Sequence, residues 1–158
     1  VQHPAAHRKW KEVAGDPTSQ ESDVYLAMDQ ERGKRGAGVH VHSLHSGAVS
    51  GLAAIDAGDV FPPITAYAIM QVGKLALVPY YPPGDQSLAD AVRKLAGKHQ
   101  AVLLANHGPV VAGTSLSAAV NEIYELEQTA HLMLLLQGRP PRVLSAAQVA
   151  EVNPSFQI

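Results

Sequence analysis

At 158 residues, with 46% hydrophobic and 16% charged, the chain is long enough to bury one substantial core and too short for two ordinary domains. Its formal charge of -2 and its lack of Lys/Arg runs leave no electrostatic footprint for nucleic acid or an anionic membrane surface. With no cysteine, any transition metal must be held by His, Asp or Glu.

No apolar run approaches the roughly 18 residues that span a bilayer. The start carries no signal-peptide pattern, so the expected compartment is the cytoplasm. Residues 1–19 are polar, contain Pro and His without periodicity, and read as an irregular lead-in to a domain over 20–158. From Glu21 to Arg32, Val24, Ala27 and Met28 recur at helical spacing, and Thr18 or Ser19 can cap the start. The run Gly38–His42 alternates strictly. In a strand, Val39 and Val41 face the core while His40 and His42 share the opposite face. Ser43 is placed as the N-cap of an Ala-rich helix reaching Ile55, with Leu44, Val49 and Leu52 on one face.

Phe61 to Gln71 is ambiguous, because Pro62-Pro63 can start a helix but the segment is short. Leu75 to Tyr80 reads as a strand stopped by Tyr81-Pro82-Pro83-Gly84, and Asp85 as the N-cap of a helix carrying Leu88, Val92 and Leu95. Ala101 to Ala105 suits a buried central strand, Asn106-His107-Gly108 a turn, and Pro109 to Gly113 the returning strand. Leu116, Ala119, Val120, Ile123, Leu126, Ala130, Met133 and Leu134 form the strongest helical stripe, closed by Gly138 and Pro140. One short helix is expected over Ser145 to Val152.

A metal site without cysteine wants two or three imidazoles plus a carboxylate, with a coordination position left open for catalysis. His40 and His42 supply two ligands from one strand. His107, after a buried strand and between Asn106 and Gly108, has no evident packing role and is the best third candidate. Each residue also has a plainer reading. A lone His-x-His is more often two partly exposed histidines, His107 alone a hydrogen-bonded turn residue, and Glu21 a helix-dipole partner. His45 can be a fourth ligand or a structural residue, whereas His3, His7, His99 and His131 read as surface or packing residues. A zinc hydrolase is the rival class for His-x-His-x-x-His. The chain is far below the roughly 250 residues of a barrel enzyme, and no Asp stands beside His45.

Val39-His40-Val41-His42-Ser43, the run Leu103 to Gly113 containing Asn106-His107-Gly108, and Glu125-Leu126-Glu127 with Ala130 together resemble the class II aldolase/adducin group. Pro62 to Tyr67, Val72 to Leu75 and Val78 to Asp85 look closest to one branch, the 3-oxo-tetronate 4-phosphate decarboxylases. The resemblance covers roughly Glu21 to Leu144. It implies a single α/β domain with a mostly antiparallel central sheet flanked by helices, assembled as a homotetramer with active sites between subunits. His40, His42 and His107 would bind one Zn2+ per chain. Glu21, 19 positions before His40, would sit at the metal as base, with Tyr67 a second proton donor and Ser43 and Asn106 contacting substrate.

The implied reaction converts a 3-oxo-tetronate 4-phosphate to dihydroxyacetone phosphate and CO2 through an enediolate stabilised by zinc. Retro-aldol cleavage of a fuculose- or ribulose-type phosphate passes through the same species and stays open. So does a non-catalytic, adducin-like member. The expected partner is a small phosphorylated sugar acid or sugar. Several features depart from the group. No Gly-Asn-x-Ser phosphate-binding segment precedes Glu21, so the N-terminal side is expected to be truncated. Tyr25 stands where many members have histidine and Asp29 where many have tyrosine, and Glu31 to Gly38 departs from the usual turn.

Overall fold

The structure is a computed structural model that describes residues 21–32 and 36–153. The lead-in expected over 1–19, the caps Thr18 and Ser19, and His3 and His7 lie outside them. Helix α1, Ser22–Arg32, opens the described chain and is followed by β1, Ala37–His40. Then come α2, Leu44–Ser50, a π-helical turn at Ala68–Val72, β2, Ala76–Val78, and α3, Gln86–Ala96. Strands β3, Ala101–Leu104, and β4, Pro109–Gly113, form a hairpin. The long α4, Leu116–Leu135, and the short α5, Ala146–Val152, complete the order.

The four strands run β1-β4-β3-β2, antiparallel at β1/β4 and β3/β4 and parallel at β2/β3. Two of three pairings are therefore antiparallel, in line with the expected sheet. The apolar run Ala101–Leu104 is buried throughout because both sheet faces are covered. Its alternate residues feed separate cores. Val102 and Leu104 pack with Val24 and Met28 of α1 and Leu88 and Val92 of α3. Ala101 and Leu103 face Val49 of α2 and Leu126 and Ala130 of α4. Three layers result, α1/α3, sheet, α2/α4.

Local chemistry explains where helices start. Asp85 accepts from the Ser87 N–H at 2.8 Å at the head of α3, Ser115 caps α4, and Ser145 with Gln148 forms a capping box on α5. Gly138, at φ 77°, sits just beyond α4 in the left-handed region that glycine tolerates. Three expectations need correction. β1 ends at His40, so His42 lies beyond the strand. α2 stops at Ser50 rather than Ile55 because the chain turns at Gly51, whose N–H closes onto Ala48. On α4, Leu116 and Val120 are 62% and 49% exposed, while Glu122 and Thr129 are buried beside Ala119, Leu126 and Ala130.

The chain after β1 crosses directly over the β3–β4 turn. A Cβ on Gly108 would overlap the Val41 carbonyl oxygen, a backbone atom with no freedom to retreat. Gly108→Ala should therefore destabilise the fold by about 1–3 kcal/mol through forced backbone shifts, read as a lowered urea midpoint at unchanged slope.

Candidate metal centre

Three separate pieces of chain bring four side chains together. Glu21 precedes α1, His40 ends β1, His42 follows it by two residues, and His107 lies in the β3–β4 turn. One ligand-capable atom from each falls within 4.8 Å of all the others. His42 Nε2 is 2.9 Å from His107 Nε2. Glu21 Oε1 is 3.0 Å from His107 Nε2, and Oε2 is 3.1 Å from His40 Nε2. The ring centroids of the three histidines are 4.8–4.9 Å apart pairwise.

The tautomer of His40 follows from its neighbours. Its Nδ1 stands 2.8 Å from the Pro109 carbonyl, which can only accept, so Nδ1 carries the proton. Burial pushes the His40 pKa below the usual histidine value, overcoming the Pro109 carbonyl and the Glu21 charge that favour protonation. In the neutral ring Nε2 is thus a bare lone pair. It is buried without a hydrogen-bond partner and faces the Glu21 carboxylate, another lone-pair donor. Two such atoms at 3.1 Å repel unless positive charge lies between them.

A divalent cation meets that need. Four ligands about 2.0–2.1 Å from a tetrahedral ion stand roughly 3.4 Å from one another, a separation bracketed by the donor spacings here. Three imidazoles and a carboxylate suit a first-row divalent ion. The Pro109 carbonyl on the far side of His40 stands where the outer partner of a ligating imidazole would be needed.

The remaining candidates are placed as follows. Tyr67 is 65% exposed before the π-helical turn and is not among the residues this cluster gathers. Asn106 is exposed and left-handed, at φ 55°, next to His107. Ser43 occupies the N-cap position of α2 but makes no capping bond, and its hydroxyl pairs with Ser46 Oγ. His45 is not a ligand. Its Nδ1 is 2.9 Å from Glu127, and its ring stacks on His131 with centroids 4.0 Å apart. His99 Nδ1 donates to the Lys74 carbonyl. Beside the His45–His131 stack, an open cavity of about 280 Å³ is lined by Thr65, Glu125 and Gln128 among others.

Sequence reasoning assigned no role to Glu127, which supplies the cap that Ser43 does not. From α4 its Oε1 accepts the His45 N–H at 2.8 Å, and its Oε2 accepts the Ser46 N–H at 2.9 Å and the Ser46 hydroxyl at 2.7 Å. Burial alone would raise its pKa. The two backbone N–H groups and the Ser46 and Ser43 hydroxyls outweigh it and hold the carboxyl at about 2. Tyr25, beside His40, is shifted the other way, raised by burial and then by the Glu21 charge.

The sequence pattern of the Class II Aldolase and Adducin N-terminal domain matches residues 3–134. A 3-oxo-tetronate 4-phosphate decarboxylase of Escherichia coli (strain K12) is 45% identical over 149 residues, which cover 94% of this chain and 69% of the relative. An L-fuculose phosphate aldolase of Methanococcus maripaludis is 32% identical over 126 residues, covering 80% of this chain and 66% of that protein. The crystal structure of YgbL from Escherichia coli superposes with a TM-score of 0.85 at 44% identity, over 89% of this chain and 68% of that one. The chain thus spans about two thirds of the length of the relatives it matches.

Two outcomes follow from this geometry. Chain stripped with a chelator and dialysed against a divalent ion should retain one equivalent, and His40→Ala, His42→Ala or His107→Ala should each abolish retention, measured by elemental analysis. For Glu127 the folded pKa lies below the ordinary 4.5, so its contribution is fully present above pH 4.5 and is lost as pH falls through about 2. Glu127→Gln should lower stability by about 1.5–3 kcal/mol above pH 4.5. Urea midpoints of wild type and variant should converge as pH falls toward 2.

Proposed function

Because this chain belongs to the class II aldolase and adducin family, we propose that it decarboxylates a 3-oxo-tetronate 4-phosphate to dihydroxyacetone phosphate and CO2. The observation that carries the reading is the convergence of His40, His42, His107 and Glu21 around the bare Nε2 of His40. The metal is assigned as zinc, one per chain, because three imidazoles suit it and Glu21, beside them, can yield the fourth tetrahedral position to substrate. The name of the E. coli relative, at 45% identity, supports the substrate.

A divalent cation bound there supplies fixed positive charge against the negative charge released at the 3-keto oxygen. Three neutral imidazoles hold it without cancelling that charge. When the C1–C2 bond breaks, its electron pair moves into C2–C3 and onto the keto oxygen, CO2 leaves, and an enediolate remains. A proton then adds to C2. Glu21, whose carboxylate oxygens lie 3.0–3.1 Å from the His107 and His40 Nε2 atoms, is assigned to deliver it after taking up a proton from solvent. Tyr67 is the second candidate donor. Asn106 and Ser43, flanking His107 and His42, are assigned to substrate hydroxyl or phosphate oxygens. Of these, Asn106 is exposed, and the Ser43 hydroxyl is shared with Ser46.

Retro-aldol cleavage of a sugar phosphate is the second reading, favoured by the fuculose phosphate aldolase relatives. It breaks a different carbon–carbon bond over the same site. We further propose a homotetramer, for which the exposed Leu116, Val120 and Tyr124, spaced one turn apart on α4, offer apolar surface to cover. No helix among the described residues is long and apolar enough to cross a membrane. The phosphorylated substrate is too highly charged to cross a bilayer, which assigns the reaction to the cytoplasm.

The deciding assay follows dihydroxyacetone phosphate release from 3-oxo-tetronate 4-phosphate, with fuculose 1-phosphate as competitor substrate. Turnover of the first alone supports the decarboxylase, and turnover of the second alone replaces it with the aldolase. Glu21→Gln should keep most of the metal yet slow turnover by about 10²- to 10⁴-fold. A variant with full rate would transfer the proton step to Tyr67, which Tyr67→Phe then tests.

A further inference from the structure

Helix α2 connects two ligands that come from distant parts of the chain. Its first residue, Leu44, follows His42 by two positions, and its last, Ser50, holds the turn that carries His107. The Ser50 hydroxyl accepts the His107 N–H at 3.1 Å, and its carbonyl accepts the Asn106 N–H at 3.1 Å. The same hydroxyl donates to the Gly47 carbonyl at 2.7 Å, so its orientation is fixed. At the other end, Glu127 binds the N–H groups of His45 and Ser46. Seven residues form a rod of roughly 10 Å, pinned at both ends.

We propose that α2 is a strut that sets the separation of His42 and His107, with Ser50 and Glu127 as its positioning residues. The inference rests on the reading that the four-residue cluster holds a divalent ion. His42 and His107 bring their Nε2 atoms to 2.9 Å, a crowding that neither hairpin turn nor strand end enforces alone. His42 lies past the last paired residue of β1, and His107 in a turn outside the ladder. Their backbones pass each other where Val41 crosses Gly108 and are tied to opposite ends of one helix. A ligand set needs placement within about 0.5 Å, and a doubly anchored helix supplies it. Ser50 is 3% exposed, so its hydroxyl has no competing solvent role. The His107 N–H keeps the Leu104 carbonyl as a second acceptor at 3.1 Å, so losing the hydroxyl loosens the turn without unfolding it.

The test measures Co2+ affinity by chelator competition and the visible spectrum of the bound Co2+ in four chains: wild type, Ser50→Ala, Glu127→Gln and Val149→Ala. Val149 is fully buried on α5, which packs on the π-helical turn, and serves as a control for lost stability alone. Ser50→Ala and Glu127→Gln should each weaken Co2+ binding about 10- to 100-fold and alter the spectrum. Val149→Ala should keep both while losing thermal stability. Ser50→Ala that binds Co2+ within twofold of wild type with an unchanged spectrum overturns the strut, whatever Glu127→Gln does. Equal loss in Val149→Ala also overturns it. Wild type that binds no Co2+ overturns the metal reading and the strut together, an outcome distinct from failure of the strut alone.

Discussion

The ligand-capable atoms of Glu21, His40, His42 and His107 lie within 4.8 Å of one another, and much of the surrounding structure can be understood as the means of holding them there. The three histidines are each fixed from behind by groups that are not themselves donors to the cluster. His40 is fixed by a main-chain carbonyl, His107 by the Ser50 hydroxyl and the Leu104 carbonyl, and His42 by its attachment to a helix capped from α4. The sheet between two helical layers supplies the rigidity, since its central strands β3 and β4 are buried on both faces. Within the cluster the bare Nε2 of His40 faces the Glu21 carboxylate at 3.1 Å, a contact that positive charge would relieve.

The architecture was largely legible because its signals are local. The apolar run at 101–104, the Asp85, Ser115 and Ser145 caps and the glycine after α4 each report on a few neighbouring residues, and each element formed where they stand. The histidine pair shows the limit. Period-two alternation at 38–42 suggested one strand with two imidazoles on a shared face, yet pairing stops at His40. The two rings still converge, since the chain beyond the strand passes over Gly108, and a residue without a side chain leaves little pattern to read.

Glu127 was not legible as a cap because its partners lie about 80 positions away, whereas capping signatures in sequence extend over three or four residues. Ser43 carried the expected capping side chain and stood at the right position, but a carboxylate from α4 took the donors instead. The α4 stripe misled in the opposite direction. Leu116 and Val120 fit the apolar spacing of a core face, yet the buried positions include Glu122 and Thr129. Helical spacing alone does not tell a face turned to the protein's own sheet from one left at the surface.

The proton on His40 is held by an oxygen that belongs to the main chain of Pro109. Every amino acid has that oxygen, so no replacement at position 109 deletes it, provided the strand keeps its course. The ring orientation and tautomer of this histidine are therefore inherited with the hairpin and need no particular neighbouring side chain. The side chain at position 109 can thus change, so long as the buried hairpin keeps its course, and the same nitrogen is still presented to whatever occupies the centre.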